Sequence, residues 1–181
     1  YIKNGRVAFD GPTDEGLHHY ERDSYLADAP WFKPEGGHHP VEIREVTVAD
    51  ESGAPKTLFR HGERMRITAR YTASEPIADP HVLFSVTRSD ELLCCNFSTM
   101  TDRAKLQTLS GEGTIELLTP PLTLNADTYT VSVVVRQRGF ERLLAARIGA
   151  RFHIEHPVFA PDVFGVFHMP GTWTADPAPH R

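Results

Sequence analysis

Cysteine is almost absent, with two residues, Cys94 and Cys95, in a chain of 181. Neighbours on a strand point to opposite faces, so this pair cannot easily bridge and a disulfide scaffold is excluded. Both read as small apolar side chains of a reducing compartment. No apolar run reaches the length of a membrane-spanning helix, and no signal peptide opens the chain. A basic excess is missing too, since the net charge is −5, which argues against general nucleic-acid binding. Lysine is scarce, four of the 19 basic residues. Positive charge is therefore carried by arginine, whose planar fork suits carboxylate and phosphate groups. Common catalytic signatures are also lacking: no G-x-x-x-x-G-K-[ST] phosphate loop, no G-x-S-x-G elbow and no H-E-x-x-H. The acid pairs Asp50-Glu51 and Asp90-Glu91 fall in turns, which leaves a glycosidase dyad little support. Ten histidines are present, among them His18-His19, His38-His39 and the His153/His156 spacing. They read as solvated surface groups, and no metal site is expected.

What the chain does have is alternation. From Tyr129 the side chains Tyr129, Val131, Val133 and Val135 share one face, and Thr130, Ser132, Val134 and Arg136 the other, the period of a half-buried strand. Asn125-Ala126-Asp127 upstream reads as a turn. A Tyr just after such a turn is either an ordinary inward Tyr or a tyrosine corner, whose hydroxyl bonds back to the upstream chain. This is the central strand on which the others pack.

Residues 1–9 read as a hairpin around Asn4-Gly5, the strongest two-residue hairpin signal. A helix follows to about Tyr25, with Thr13 as cap and Asp14 and Glu15 in its first turn. A hairpin and one helix bury no core, so this piece is expected to be the tail of a longer domain. Prolines and glycines make the next stretch a linker, with Trp31-Phe32 expected to dock on the following domain or, for Trp31, to stack on a ligand.

Beyond it the pattern is all-β. Residues 41–50 alternate. Met65, Ile67, Ala69 and Tyr71 point inward against Arg64, Arg66, Thr68 and Arg70. Val82, Phe84 and Val86 point inward against Leu83, Ser85 and Thr87. Strands at 92–99, 113–118, 128–137 and 147–154 follow, the last with Ile148, Ala150, Phe152 and Ile154 inward, and an apolar strand at 163–173 closes the series. Residues 99–110 read as a short helix or a long loop. The expectation is an immunoglobulin-like or jelly-roll β-sandwich of seven or eight antiparallel strands, preceded by the hairpin and helix. Its parts are 1–25, the tail piece; 26–40, the linker; 41–175, the sandwich; and 176–181, a flexible tail.

In sandwich order the central strand lies between the 81–88 and 147–154 strands. The outward face of that sheet would carry Ser85, Thr87, Thr130, Ser132, Arg136, Arg138, Arg147, Arg151 and His153, with Asn96 and Ser98 added by the 92–99 strand. Hydroxyls beside guanidiniums suit sugar hydroxyls and a carboxylate or phosphate. A plain solvated sheet face carries the same residues.

YIKNGRVAFDGPTDEGLHHYE resembles the last hairpin and helix of an ABC transporter ATPase domain. With the linker, VEIREVTVADESG, LFRHGERMRITARY, LTLNADTYTVSVVV and the terminal GVFHMPGTW, the order resembles Wzt-type ATPase subunits of bacterial polysaccharide exporters, which carry a C-terminal carbohydrate-binding domain. One departure is Ala126-Asp127 where a Gly is usual. The resemblance implies a non-catalytic module at the cytoplasmic face of the inner membrane, binding a lipid-linked, O-antigen-type polysaccharide, often at its modified end. It implies no cofactor in this chain, ATP and Mg being held by an ATPase domain before Tyr1 that also meets the membrane subunit. Two rivals stand beside it: a regulatory or dimerising appendage of an ABC ATPase that binds no sugar, and a jelly-roll enzyme acting on glycans. The prolines of HPVFAPD and the apolar VFGVFHM beyond them point to a homodimer that exchanges its C-terminal strand.

Overall fold

The computed structural model describes residues 1–3, 5–13, 15–16, 19–20, 39–137, 142–156, 165–169 and 171–174. At the N-terminus, β1 (Ile2–Lys3) and β2 (Arg6–Val7) pair antiparallel across a turn in which Gly5 takes φ +74°, the left-handed conformation that glycine adopts without strain. The chain is helical at Thr13, Glu15, Gly16, His19 and Tyr20. Its first bond runs from the Gly16 N–H to the Pro12 carbonyl, so Thr13 lies inside the first turn and Pro12 holds the cap position expected for Thr13. The helix packs back on the hairpin, with Tyr1 edge-on to Tyr20 and Phe9 stacked on His19.

The sandwich comprises β3 (Val41–Ala49), β4 (Leu58–Arg60), β5 (Arg66–Ile77), β6 (His81–Arg88), β7 (Leu93–Ser98), β8 (Leu109–Leu118), β9 (Asp127–Arg136) and β10 (Leu143–Glu155). One sheet has the order β3-β5-β8, the other β4-β10-β9-β6-β7. The all-β sandwich and the place of the central strand β9, between β6 and β10, are as expected from sequence. Two features differ. The short strand β4 has too few residues to show alternation, and it pairs parallel to β10, so the second sheet is mixed. The strand expected at 113–118 starts earlier, at Leu109, after residues 99–108 that form the loop alternative of turns and coil.

Inward side chains of both sheets make one core. Tyr129, Val131, Val133, Val135, Phe59, Met65, Ile67, Ala69 and Phe152 are each fully buried. Phe152 meets Phe59 edge-on and stacks on Tyr129. The Tyr129 hydroxyl donates to the Asn125 carbonyl at 2.7 Å, so the residue forms the tyrosine corner.

A bulge in β10 changes the phase read from sequence. Ile148 pairs with Ser132 and Arg151 with Thr130, leaving Gly149 and Ala150 as the irregularity between them. Ile148 is thereby outward, packed near Val134, whereas Ala150, Phe152 and Ile154 face the core as expected. Arg147, expected on the outward face, instead pairs with core-facing Val133 and donates to the Ile43 carbonyl of the opposite sheet at 3.2 Å.

The terminal segment is not a regular strand in its described part. It meets the sandwich at a bridge from Phe167 to Leu124, flanked by bonds from the Asn125 N–H to Val166 and from the His168 N–H to Thr123, by a bond from the Asn125 Nδ2 to the Gly165 carbonyl at 3.0 Å, and by Val166 packed on the core.

Candidate functional site

The outward face of the five-stranded sheet is set by the ladder registers. Cross-strand partners share a face, so the rows run Asn96–Ser85–Ser132–Ile148, Ser98–Leu83–Val134–Ala146 and Thr87–Thr130–Arg151, with His81–Arg136–Leu143 beyond. Next to Thr130, Thr128 pairs with His153, whose Nδ1 lies 2.8 Å from the Thr128 hydroxyl. Of the candidate residues that the structure describes, all but the inward Arg147 therefore lie together on this face: Ser85, Thr87, Asn96, Ser98, Thr130, Ser132, Arg136, Arg151 and His153. Arg138 and Trp31-Phe32 fall outside the described residues.

Their exposure is not that of an open solvated sheet. Ser85, Thr87, Ser98 and Ser132 are buried, while Asn96, Arg151 and His153 are exposed around them. Small side chains standing between longer ones on neighbouring strands are shaded by them. Ser132 is 3 % exposed, and its Oγ is buried without a hydrogen-bond partner. An unmet buried hydroxyl costs stability unless a ligand or water meets it.

Sequence reading placed Leu83 and Val134 outward but missed the shelf they join and a second part of this surface. Leu83, Val134, Leu143, Ala146 and Ile148 form a small apolar shelf next to the hydroxyls. The bulge hides Ile148 from any period-two reading. The second part is His81, whose Nε2 lies 2.8 Å from the Ser98 Oγ and ties β6 to β7. Burial holds the His81 imidazole below its ordinary pKa, and the nearby Arg136 charge adds to this, so it stays neutral near pH 7.

The two cysteines are consistent with their reading as apolar side chains. Both pack against the core, and burial pushes the Cys95 thiol up to about 11, far from a reactive thiolate at neutral pH.

The outward face of the other sheet is different in kind. Its arginines are matched by glutamates: Arg64 with Glu51, Arg66 with Glu116 and Arg70 with Glu45, at 3.5, 3.4 and 3.7 Å. Exposed pairs of this sort neutralise one another and add little stability.

Fold and face together define a β-sandwich domain with hydroxyl, charged and apolar groups side by side on one sheet. The match to the Wzt C-terminal domain model over residues 33–160 then shows the family: the chain belongs to the Wzt C-terminal domains, the carbohydrate-binding domains associated with ABC transporters. A crystal structure of the C-terminal domain of Wzt is similar, at TM-score 0.64 and 13 % identity, covering 85 % of this chain and 96 % of that one. Weaker likenesses extend to a Niemann-Pick type C2 protein from the Japanese carpenter ant (TM-score 0.46, 9 % identity, 68 % of this chain and 98 % of that one). They include a Bacteroides uniformis β-glucuronidase (TM-score 0.45, 14 % identity, 60 % of this chain and 14 % of that one). No curated protein sequence matches.

Proposed function

We propose that the domain recognises an O-antigen-type, lipid-linked polysaccharide for an ABC exporter, holding its sugars on the outward face of the five-stranded sheet and doing no chemistry on them. The observation that carries this reading is the buried, unpartnered Ser132 hydroxyl between Ser85 on the next strand and Thr130 along its own, beside an apolar shelf. A sugar ring offers the same pair of surfaces, hydroxyls at its edge and C–H groups on its face. Arg136, Arg151 and His153 at the margin suit an acidic sugar or a phosphate cap. The hairpin and the helical residues up to Tyr20 fit the close of an ATPase domain. That domain would bind ATP and Mg, meet the membrane subunit and hold this module at the cytoplasmic face of the inner membrane. No described helix is long and apolar enough to cross a membrane itself.

Titration of the chain with its native polysaccharide tests the site. Arg136→Ala and Arg151→Ala are each expected to remove a charge-assisted bond of about 1.5–3 kcal/mol, a loss of roughly ten- to a hundredfold in affinity. Ser132→Ala is expected to weaken binding while leaving the melting temperature unchanged or raised, because it removes an unmet polar group. The polysaccharide is expected back unaltered by mass spectrometry. Unchanged affinity in all three variants sinks the assignment of this face.

The same reading makes the domain a homodimer. Phe167, Met169 and Trp173 in and after the terminal segment are 43, 83 and 93 % exposed, and a two-fold partner would cover them. Pairing of this segment with Thr123–Asn125 is the same contact whether it comes from one chain or is exchanged between two. Sedimentation is expected to give a dimer for the intact chain and a monomer for one ended at Glu155. A monomeric intact chain contradicts the exchange.

A further inference from the structure

Three histidines converge beyond the end of β10, although nothing in their sequence spacing links them. The parallel ladder pairs Leu58 with His153, Phe59 with Ile154 and Arg60 with Glu155, so the next position of each strand, His61 and His156, comes level. His168 arrives on the terminal segment. The backbone of each neighbourhood is fixed: the His61 N–H donates to the Glu155 carbonyl at 2.8 Å, and the His168 N–H to Thr123 at 2.9 Å. Gly62 takes φ +87° and donates to the Leu122 carbonyl at 2.7 Å, which turns the chain directly after His61.

One ring nitrogen from each histidine lies within 4.8 Å of the other two. His156 Nε2 and His168 Nδ1 stand 3.4 Å apart. Two imidazole nitrogens bound at about 2.0–2.1 Å to one tetrahedral ion are separated by roughly 3.3 Å, so this spacing is already that of a ligand pair. It is long for a hydrogen bond between two rings. The Nε2 of His61 is buried and has no hydrogen-bond partner. The rings meet at steep angles, 63° between His61 and His156 and 77° between His156 and His168, rather than stacking face to face. Imidazole nitrogens brought this close together are the donor type that zinc, nickel and copper ions take.

We propose that His61, His156 and His168 form a site for a divalent transition metal of the zinc class, which pins the C-terminal segment to the end of the sandwich. Three nitrogens leave the fourth tetrahedral position for water or an external ligand. The ion would join the turn after β4, the end of β10 and the terminal segment, adding to that segment's Phe167–Leu124 bridge, its hydrogen bonds at Gly165, Val166 and His168, and the packing of Val166 on the core. The proposal does not depend on glycan recognition or on dimerisation.

Calorimetric titration of the metal-free chain with Zn²⁺ tests it, with Co²⁺ as a spectroscopic probe. The expected result is saturable binding of about one equivalent per chain, with the visible absorption of tetrahedral Co²⁺. His61→Ala, His156→Ala and His168→Ala are each expected to weaken Zn²⁺ binding beyond the roughly 10–100-fold typical of changes to outer-shell partners. His168 is exposed, so its variant should melt as the parent does in metal-free buffer, which separates ligand loss from misfolding. A double His38→Ala/His39→Ala control is expected to keep full affinity. Zinc should also slow carboxypeptidase trimming of the parent chain's end and leave that of His61→Ala unaffected. No saturable binding, or equal loss in the control and the triad variants, overturns the site. Trimming at one rate with and without bound zinc overturns the pinning.

Discussion

Tyr129→Ala is expected to remove a large share of the domain's stability, about 3–5 kcal/mol, from a total that for single domains is typically about 5–15 kcal/mol. Tyr129 is fully buried, stacked on Phe152, which in turn meets Phe59 edge-on. Truncation leaves a cavity between the two sheets, and the remaining rings, Phe59 on β4 and Phe152 on β10, cannot collapse freely into it. Its hydroxyl makes a separate contribution. The 2.7 Å bond to the Asn125 carbonyl closes the turn that starts β9, and Asn125 is itself buried. Tyr129→Phe keeps the ring and leaves that carbonyl short of a donor, which is expected to cost about 1–3 kcal/mol. Urea unfolding of both variants measures this, with the shift in midpoint at constant slope read as stability. If Tyr129→Phe unfolds at the parent's midpoint, the corner does not hold the turn.

That residue also shows how much was legible in the sequence. Strict alternation around Tyr129 set the central strand, its inward face and its neighbours, because a period of two leaves each side chain only one face to occupy. The same logic places the outward hydroxyls, with Arg136 and Arg151, on one sheet. What escaped were departures from the period. The three residues of β4 are too few to alternate. The histidine cluster depends on β4 pairing parallel to β10, which no local pattern encodes. Burial of Ser85 and Ser132 on a face read as solvated comes from the size of their cross-strand neighbours, a property of three strands together. In β10, one irregularity sent Ile148 outward and Arg147 inward.

That irregularity carries the other large effect. Gly149→Val is expected to destabilise the domain severely and to disturb the candidate site with it. A Cβ at Gly149 would stand 2.4 Å from the Cβ and 2.6 Å from the Cγ1 of Val46, and 3.1 Å from the Val131 carbonyl oxygen. A Cβ is fixed to its backbone and cannot swing aside, so relief requires moving β10 away from β3 of the opposite sheet. Overpacking of a core typically costs about 1–3 kcal/mol, and Gly149→Ala is expected in that range with Gly149→Val above it. Val46→Ala should not rescue either variant, because it keeps the Cβ that makes the closest approach, whereas Val46→Gly should recover part of the loss. That pattern distinguishes a steric close approach from a general intolerance of side chains in the bulge. The displacement also reaches the outward face, because Ile148 and Arg151 flank the bulge and take their pairing with Ser132 and Thr130 from it. Denaturation midpoints of the single and double variants provide the measurement. Parent-like stability in Gly149→Val would mean that the two sheets do not approach so closely here.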